Sequence, residues 1–175
     1  MEKDKVFKYN KSMKKEYKEL IEKIFKEVKR HYKKNLISFV VFGSVAREKT
    51  SPFSDIDLLI ICENLPYNRT KRIIEFIENI EKKLENDIKK LREKNIFTEI
   101  SPIIKTKEEV FKGSLIFLEM IYDALIIYDK NNFFKNYLKV LEEKIKEYGA
   151  KKVYKKGGYY WIIKENVNIK EGVEL

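Results

Sequence analysis

The stretch that decides the fold is GSVAREKTSPFSDIDL, residues 43–58. It follows an apolar run, LISFVVF at residues 36–42, whose β-branched and aromatic side chains predict a buried strand that ends at a glycine. That glycine lets the chain turn and approach a ligand closely. Two aspartates, Asp55 and Asp57, open a second apolar run, which predicts another strand over residues 55–62. A loop suited to phosphate therefore precedes two carboxylates suited to a divalent cation.

The loop itself carries groups that favour an anion. Ser44 supplies a hydroxyl and is expected to cap a short helix over residues 45–49. The free N–H groups at the start of such a helix favour negative charge. Arg47 lies one turn further and adds a fork of donors that suits phosphate. We therefore expect Gly43, Ser44 and Arg47 to bind the phosphates of a ligand.

The two aspartates form the candidate metal site. Asp55 and Asp57 project to one face of the predicted strand, because residues two apart on a strand share a face. Their repulsion is relieved when a divalent cation lies between them. Mg²⁺ is typically held by one or two protein carboxylates together with substrate phosphates and water. The alternative is a pair of solvated acids at the mouth of a strand, but the surrounding strand, loop and turn favour the metal site.

A third carboxylate on a neighbouring strand would share the metal and accept a proton. Residues 96–104 predict such a strand, and Glu99 is the acid inside this apolar run. Its alternative role is an exposed charge on an edge strand, which Pro102 permits. Asp123 and Asp129 are weaker candidates for the third acid.

The pattern G-S-x-x-R followed by S-D-x-D resembles the signature of the nucleotidyltransferase superfamily that includes DNA polymerase beta. The residues that carry this resemblance are Gly43, Ser44, Arg47, Ser54, Asp55 and Asp57. It implies that the Gly-Ser pair binds the triphosphate of ATP or another NTP and that the acids, completed by Glu99, bind Mg²⁺ or Mn²⁺. Two departures are present, because many small members have Gly in place of Glu48 and Asp in place of Glu99.

The resemblance also implies an α/β (α+β) fold, in which helices flank a mixed sheet and a short aromatic hairpin follows. For 175 residues we expect one compact domain and no room for the further domains of a polymerase or a CCA-adding enzyme. Its expected parts are a basic helix within residues 1–35 that packs on the core, a catalytic core at 36–130, and a helix and hairpin at 131–175.

Apolar periodicity and capping signals predict the remaining elements. Helices are expected over residues 13–32, 69–94, 106–122 and 133–148, a strand over 124–128, and a hairpin over 151–164. The hairpin turn is expected at its Gly-Gly pair. Four hairpin aromatics either cover the open end of the sheet, which we favour, or stack on nucleic-acid bases. These aromatics are Tyr154, Tyr159, Tyr160 and Trp161.

Composition limits the location and the partners. The formal net charge is +10, and it is concentrated at the two ends of the chain. Basic ends suit RNA, DNA or an acidic protein, although lysine runs more often mark solvated faces. No run reaches the length of a membrane span, the charged N-terminus does not resemble a signal peptide, and Cys62 is the single cysteine. We therefore expect a cytoplasmic protein that does not contact a membrane.

The leading hypothesis is a metal-dependent nucleotidyltransferase that moves a nucleotidyl group, expected to be AMP from ATP, to a hydroxyl and releases pyrophosphate. The acceptor is left open between a protein hydroxyl, as in antitoxins that adenylylate a tyrosine of a toxin partner, an RNA 3′ end and an antibiotic-type small molecule. The alternatives are a non-catalytic module that binds nucleotide or nucleic acid, and a subunit completed by a partner protein. The apolar stripe at residues 69–94 also leaves a homo-oligomer open.

Overall fold

A computed structural model of the chain describes residues 13–156 and 158–163. Its helices are α1 (Lys15–Tyr32), α2 (Gly43–Ala46), α3 (Arg69–Asn79), α4 (Glu85–Glu93), α5 (Lys107–Phe111), α6 (Ile116–Asp123) and α7 (Phe133–Glu147). Its strands are β1 (Leu36–Phe42), β2 (Ile56–Cys62), β3 (Ile100–Lys105), β4 (Leu125–Asp129), β5 (Lys151–Lys155) and β6 (Gly158–Ile162).

The main sheet contains four strands in the order β3-β2-β1-β4. β1 pairs antiparallel with β2 and β4, whereas β2 pairs parallel with β3. Every residue of β1 is buried, and so is every residue of β2 except Asp57. A half-buried carboxylate in an otherwise buried strand costs free energy unless it is hydrogen-bonded, paired with a positive charge or bound to a metal ion. The mixed sheet with flanking helices confirms the predicted α+β fold class.

Helices cover both faces of this sheet. One face packs against α1, α3 and α4 through residues such as Phe39 and Leu58. The other face packs against α6 and α7 through residues such as Val40 and Leu59. Because side chains alternate along a strand, Asp57 belongs to the same face as Leu59. The candidate metal site therefore opens on the α6 and α7 side of the sheet.

Two of the predicted helices are broken. The single helix expected over residues 69–94 is α3, a 3₁₀ turn (Glu81–Leu84) and α4, with Ile80 at the kink. Ile80 has the non-helical angles φ −123° and ψ −63°, and its side chain is buried in the core. The helix expected over residues 106–122 is likewise divided into α5 and α6. The single long helix that suggested subunit pairing is therefore absent from the described structure.

Other predictions agree with the structure within a few residues. The first strand matches residues 36–42, and the capping box of Thr106 and Glu109 has both of its hydrogen bonds. Gly149 follows the end of α7 with φ +67°. The strand expected from residue 96 begins only at Ile100. None of the helices within residues 13–156 and 158–163 is long and apolar enough to span a membrane.

The C-terminal hairpin is present as the antiparallel pair β5 and β6. β6 begins at Gly158, and its turn partner Gly157 lies outside the described residues. The Trp161 ring packs against the core on the α6 and α7 side of the sheet. Its indole N–H donates to the Glu119 carboxylate at 3.1 Å. This contact favours the covering role for Trp161. The side chains of Tyr154 and Tyr159 are outside the described part of the chain.

Candidate active site

The phosphate loop begins where β1 turns directly into α2. Gly43 has φ +73°, a conformation that L side chains rarely adopt, and α2 starts at this residue. The helix boundary therefore precedes Ser44, and no side chain caps the helix within the described structure. The predicted capping role of Ser44 is wrong, because the glycine turn brings the helix start forward by two residues. The Ser44 hydroxyl is left available for other partners.

Contact between the loop and the acids is direct. The register of β1 and β2 places Asp57 opposite Phe42, the residue before the loop. A Cβ atom added to Gly43 would lie 2.0 Å from Asp57 Oδ2, so only glycine fits at this position. The loop and the second aspartate therefore form one site, and the contact explains why glycine is needed there.

The two aspartates interact electrostatically. Burial raises the pKa of the Asp57 carboxyl, the nearby Asp55 charge raises it further, and Arg47 opposes both effects. Asp55 is exposed, and its carboxylate accepts a hydrogen bond from the Glu99 amide at 3.1 Å. A half-buried carboxylate whose ionised form is disfavoured by a neighbouring carboxylate charge matches the donor set of a divalent cation.

Glu99 directly precedes β3 and lies beside this pair. The parallel register of Ile56 with Ile100 aligns the preceding residues, Asp55 and Glu99. The Glu99 side chain is exposed. Burial of Glu81 raises the pKa of that residue, and the Glu99 charge raises it further. Among the described residues, no group of three or more His, Cys, Asp or Glu side chains is placed to hold a metal ion.

Ser54 shapes the turn before the acids. Its buried hydroxyl accepts a hydrogen bond from the Ser51 amide at 2.8 Å. The Tyr17 hydroxyl of α1 donates to the Ser54 carbonyl at 3.2 Å, so the turn is fastened to the first helix. Tyr17 belongs to the apolar periodicity of the helix predicted over residues 13–32, and nothing in that pattern signals its contact with the turn.

Arg47 and Glu48 directly follow α2. Arg47 follows the last residue of α2, and its charge lowers the pKa of Asp57. Glu48 adopts φ +58°, the left-handed conformation in which glycine is favoured. Its Oε1 atom is buried and has no hydrogen-bond partner among the described residues. The sequence signal for this strain was the departure at this position from the glycine of many small relatives.

The two weaker candidates for the third acid lie near the two ends of β4. Asp129 accepts hydrogen bonds from the Ser38 hydroxyl at 2.6 Å and from the Phe134 and Lys135 amides at 3.0 Å, so it caps the start of α7. Asp123 ends α6 and lines, together with Glu48, a cavity of about 630 Å³ beside the loop. A second cavity of about 610 Å³ lies at the opposite end of β1, away from the acids.

The sequence and this geometry together place the chain in a family. The sequence model of the nucleotidyltransferase domain matches residues 21–117, more than half of the chain. That range holds the loop, both aspartates and Glu99. The chain belongs to the nucleotidyltransferase domain family, and the protein is a nucleotidyltransferase.

One relative and several solved structures are similar to parts of this chain. A Methanocaldococcus jannaschii protein, named as a candidate protein adenylyltransferase, is 30% identical over 136 residues, which cover 73% of this chain and 82% of the relative. Among solved structures, a chain of a toxin–antitoxin complex with AMP-PNP is 13% identical, with a TM-score of 0.43 over 74% of this chain and 92% of that chain. A chain from the tri-AMPylated Shewanella oneidensis HEPN toxin in complex with its MNT antitoxin is 12% identical, with a TM-score of 0.42 over 75% and 92%.

Proposed function

We propose that the protein transfers the adenylyl group of ATP to a hydroxyl of a partner protein and releases pyrophosphate. The observation that carries this proposal is the contact between the Gly43 turn and the Asp57 carboxylate, which joins a phosphate loop to the acid pair. The Methanocaldococcus jannaschii relative is named as a candidate protein adenylyltransferase, and this name supports AMP as the group transferred and a protein as the acceptor.

The acid pair fits a divalent cation. Asp55 and Asp57 supply carboxylate oxygens, the ligand type that Mg²⁺ and Mn²⁺ prefer. Burial and then the Asp55 charge raise the pKa of Asp57, and a bound cation would offset both effects. When bound, the cation supplies neutralising charge for the phosphates and for the carboxylates. Glu99 is proposed as a further ligand.

The loop residues hold the phosphates. The first N–H groups of α2 and the Ser44 hydroxyl donate to the β- and γ-phosphate oxygens, and the Arg47 guanidinium adds charge. Positioning and charge stabilisation supply most of the rate in such transfers. The Gly43 turn matters because it brings these donors against Asp57.

The proposed transfer is a displacement at the α-phosphorus of ATP. The acceptor hydroxyl oxygen forms a bond to the α-phosphorus, and the bond from that phosphorus to the α–β bridging oxygen breaks. Pyrophosphate leaves with the electron pair of that bond. The hydroxyl proton passes to a carboxylate, for which we propose Glu99 because its amide already binds Asp55.

Label transfer tests this function. Purified protein is mixed with Mg²⁺, with ATP labelled at the α-phosphate and with lysate from its own source, beside the D57N variant as control. We expect a labelled protein band that weakens at least about a hundredfold with D57N, as loss of a charge-stabilising group does. An equally labelled band with D57N would contradict the proposal. Bound ATP without any labelled product would instead indicate a non-catalytic nucleotide-binding module.

A further inference from the structure

A cavity of about 610 Å³ lies at the end of the main sheet that is remote from the acids. Strands β2, β3 and β4 end there, and β1 begins there. Ile37 lines this cavity, whereas Gly43 starts the phosphate loop six residues later. Six residues of strand span about 20 Å. The cavity, which lies between Ile37, Phe111 and Lys144, is therefore a separate site, and we name it the distal cavity.

Aromatic rings form one wall of the distal cavity. Phe111 of α5 meets Phe133 edge to face with ring centroids 5.5 Å apart, and it meets Tyr137 in the same manner at 6.2 Å. Phe111 is 65% exposed, and Val140 on the same face of α7 is 53% exposed. Exposed apolar surface around a concave site marks a place for a ligand. This wall therefore offers ring surface to a bound molecule.

Three lysines and one acid line the same cavity. The Lys107 Nζ atom lies 2.7 Å from the Glu63 carboxylate and 5.6 Å from the centre of the Phe133 ring, so this lysine already has partners. The side chains of Lys130 and Lys144 have neither a hydrogen bond nor an ion pair within residues 13–156 and 158–163. The distal cavity therefore keeps two positive charges without a bonded partner beside its aromatic wall.

These charges favour an anionic ligand. The hydrogen bond and charge of Lys107 lower the pKa of the Glu63 carboxyl, and the Lys130 charge lowers it further. Glu63 is therefore ionised and balanced by Lys107, and the charge left over belongs to the two lysines that lack a bonded partner. The amides of Asn131 and Asn136 also line the cavity and can donate hydrogen bonds. An anionic group is the part of a ligand that this lining recognises.

The size of the distal cavity fits a small molecule. Cavities for drug-sized ligands typically measure about 300–1,000 Å³ and combine apolar and aromatic side chains with a few polar groups. The distal cavity has such a volume and such a lining. Specific protein interfaces involve about 20–30 residues on each side, whereas twelve residues line this cavity. A small molecule therefore matches the cavity better than a partner protein does.

We propose that the distal cavity binds a small molecule that combines an aromatic ring with an anionic group, either a carboxylate or a phosphate ester. The ring packs against Phe111 and Tyr137, and the anion pairs with Lys130 and Lys144. This binding is independent of the proposed adenylyl transfer, because the lining of the cavity does not include the acid pair or the phosphate loop.

Isothermal titration calorimetry with four probes tests the distal cavity. The probes are 2-naphthoate, 2-naphthyl phosphate, the neutral 2-naphthamide and decanoate, which has a carboxylate but no ring. We expect both naphthyl anions to bind at least about fivefold more tightly than the amide, because two positive charges face them. Naphthoate should also bind more tightly than decanoate, because the wall is aromatic. The tighter of the two naphthyl anions identifies the anionic group of the ligand.

Substitutions locate the bound probe in the distal cavity. K130Q and K144Q should each weaken naphthoate binding by about twofold to fivefold. F111L keeps apolar bulk but removes the ring, and it should weaken binding by about threefold to tenfold. E63Q removes the single acid of the lining and should tighten binding by about twofold. A gain in affinity cannot arise from misfolding.

Matched controls are K139Q, which removes a 75% exposed charge of α7 outside the cavity, and Y67L, which removes a 99% exposed ring elsewhere. Both should bind naphthoate as the parent does. The site would be overturned by absence of binding of both naphthyl anions, by equal binding of the amide, or by unchanged binding in K130Q, K144Q and F111L. Tighter binding of decanoate would indicate an acyl-chain site instead. Loss of naphthoate binding in R47Q would place the anion at the phosphate loop and overturn the proposal.

Discussion

Gly43 and Asp57 constrain each other at the scale of single residues. We predict that G43A disables the site, because the added Cβ would lie 2.0 Å from Asp57 Oδ2 and φ is +73°. Label transfer should fall at least about a hundredfold, and the free energy of unfolding should fall by about 1–3 kcal/mol. Urea denaturation and label transfer measure the two effects.

Gly149 provides the matched control for that substitution. It has φ +67°, but nothing lies within 4 Å of an added Cβ. In G149A the free energy of unfolding should therefore fall by only about 1–2 kcal/mol, the cost of an alanine in the left-handed conformation. The variant should keep full activity. Equal activity of G43A and G149A would show that the contact with Asp57 is unimportant.

Glu48 is a second strained residue. We predict that E48G raises the free energy of unfolding by about 0.5–1 kcal/mol, because it relieves φ +58° and removes a buried carboxylate oxygen that has no described partner. Thermal unfolding measures the gain. N64G is the control, since Asn64 has φ +54° and asparagine tolerates this region, so its gain should be smaller. A loss of stability in E48G would show that the carboxylate stabilises the loop.

The ionisation of Asp57 opposes folding. Its pKa is raised in the folded state by burial and by Asp55, so the folded chain holds this proton to a higher pH than the unfolded chain does. Stability from this group is present at low pH and is lost as pH rises through the folded-state pKa. Without divalent cations, D57N should be more stable than the parent at pH 7, and the gain should vanish below about pH 3. A gain independent of pH would contradict this cause.

Residue identities at the site were readable from the sequence, but their contacts were only partly so. Spacing brought Gly43, Asp55 and Asp57 together, because a strand, a tight turn and a second strand can be arranged in few ways. The cap at Ser44 was mispredicted, since backbone turns decide helix starts to within one or two residues. Tyr17 carries no local signal, because its role depends on contacts with Ser51 and Ser54, which are distant in sequence.

Arg72 joins several elements behind the site. It is 3% exposed, and its guanidinium donates to the Glu109 carboxylate at 2.5 Å and to the Ile104 carbonyl at 3.1 Å. Burial alone would raise the pKa of Glu109, yet the Arg72 hydrogen bond, the Thr106 amide and nearby positive charge lower it. This arginine therefore holds α3, β3 and α5 in one arrangement.

We predict that R72M lowers the free energy of unfolding by about 3–5 kcal/mol, because a buried pair loses one partner. Arg69 is the control: it lies 3.8 Å from the same carboxylate but is 77% exposed. R69M should cost less than about 1 kcal/mol. Chemical denaturation compares them, and similar losses in both variants would contradict the burial argument.

Element boundaries show what pattern reading misses. Strand β1 was predicted to the residue, because a buried run ended by glycine allows one interpretation. The helix expected over residues 69–94 broke at Ile80, because a stripe can stay apolar while the backbone bends. Propensity and periodicity describe local preference, whereas the kink serves the packing of both helices on a single sheet.

At the scale of the whole molecule, one four-stranded sheet positions every part of the candidate site. The end of β1 leads into the phosphate loop, the two aspartates lie at the start of β2, and Glu99 directly precedes β3. The three-part division at residues 1–35, 36–130 and 131–175 stays a prediction, as do a homo-oligomer, the cytoplasmic location and binding of nucleic acid by the basic ends. The family and fold followed from one motif because that motif spans two strands of the sheet.

Comparison of two labels tests the central claim most directly. The same reaction of protein, Mg²⁺ and source lysate is run with ATP labelled either at the α-phosphate or at the γ-phosphate, each beside D57N. Adenylyl transfer predicts that a protein acceptor gains the α-label alone and that the γ-label is released as pyrophosphate. With D57N, we expect neither a labelled acceptor nor labelled pyrophosphate. An acceptor that gains the γ-label would establish phosphoryl transfer and contradict the account.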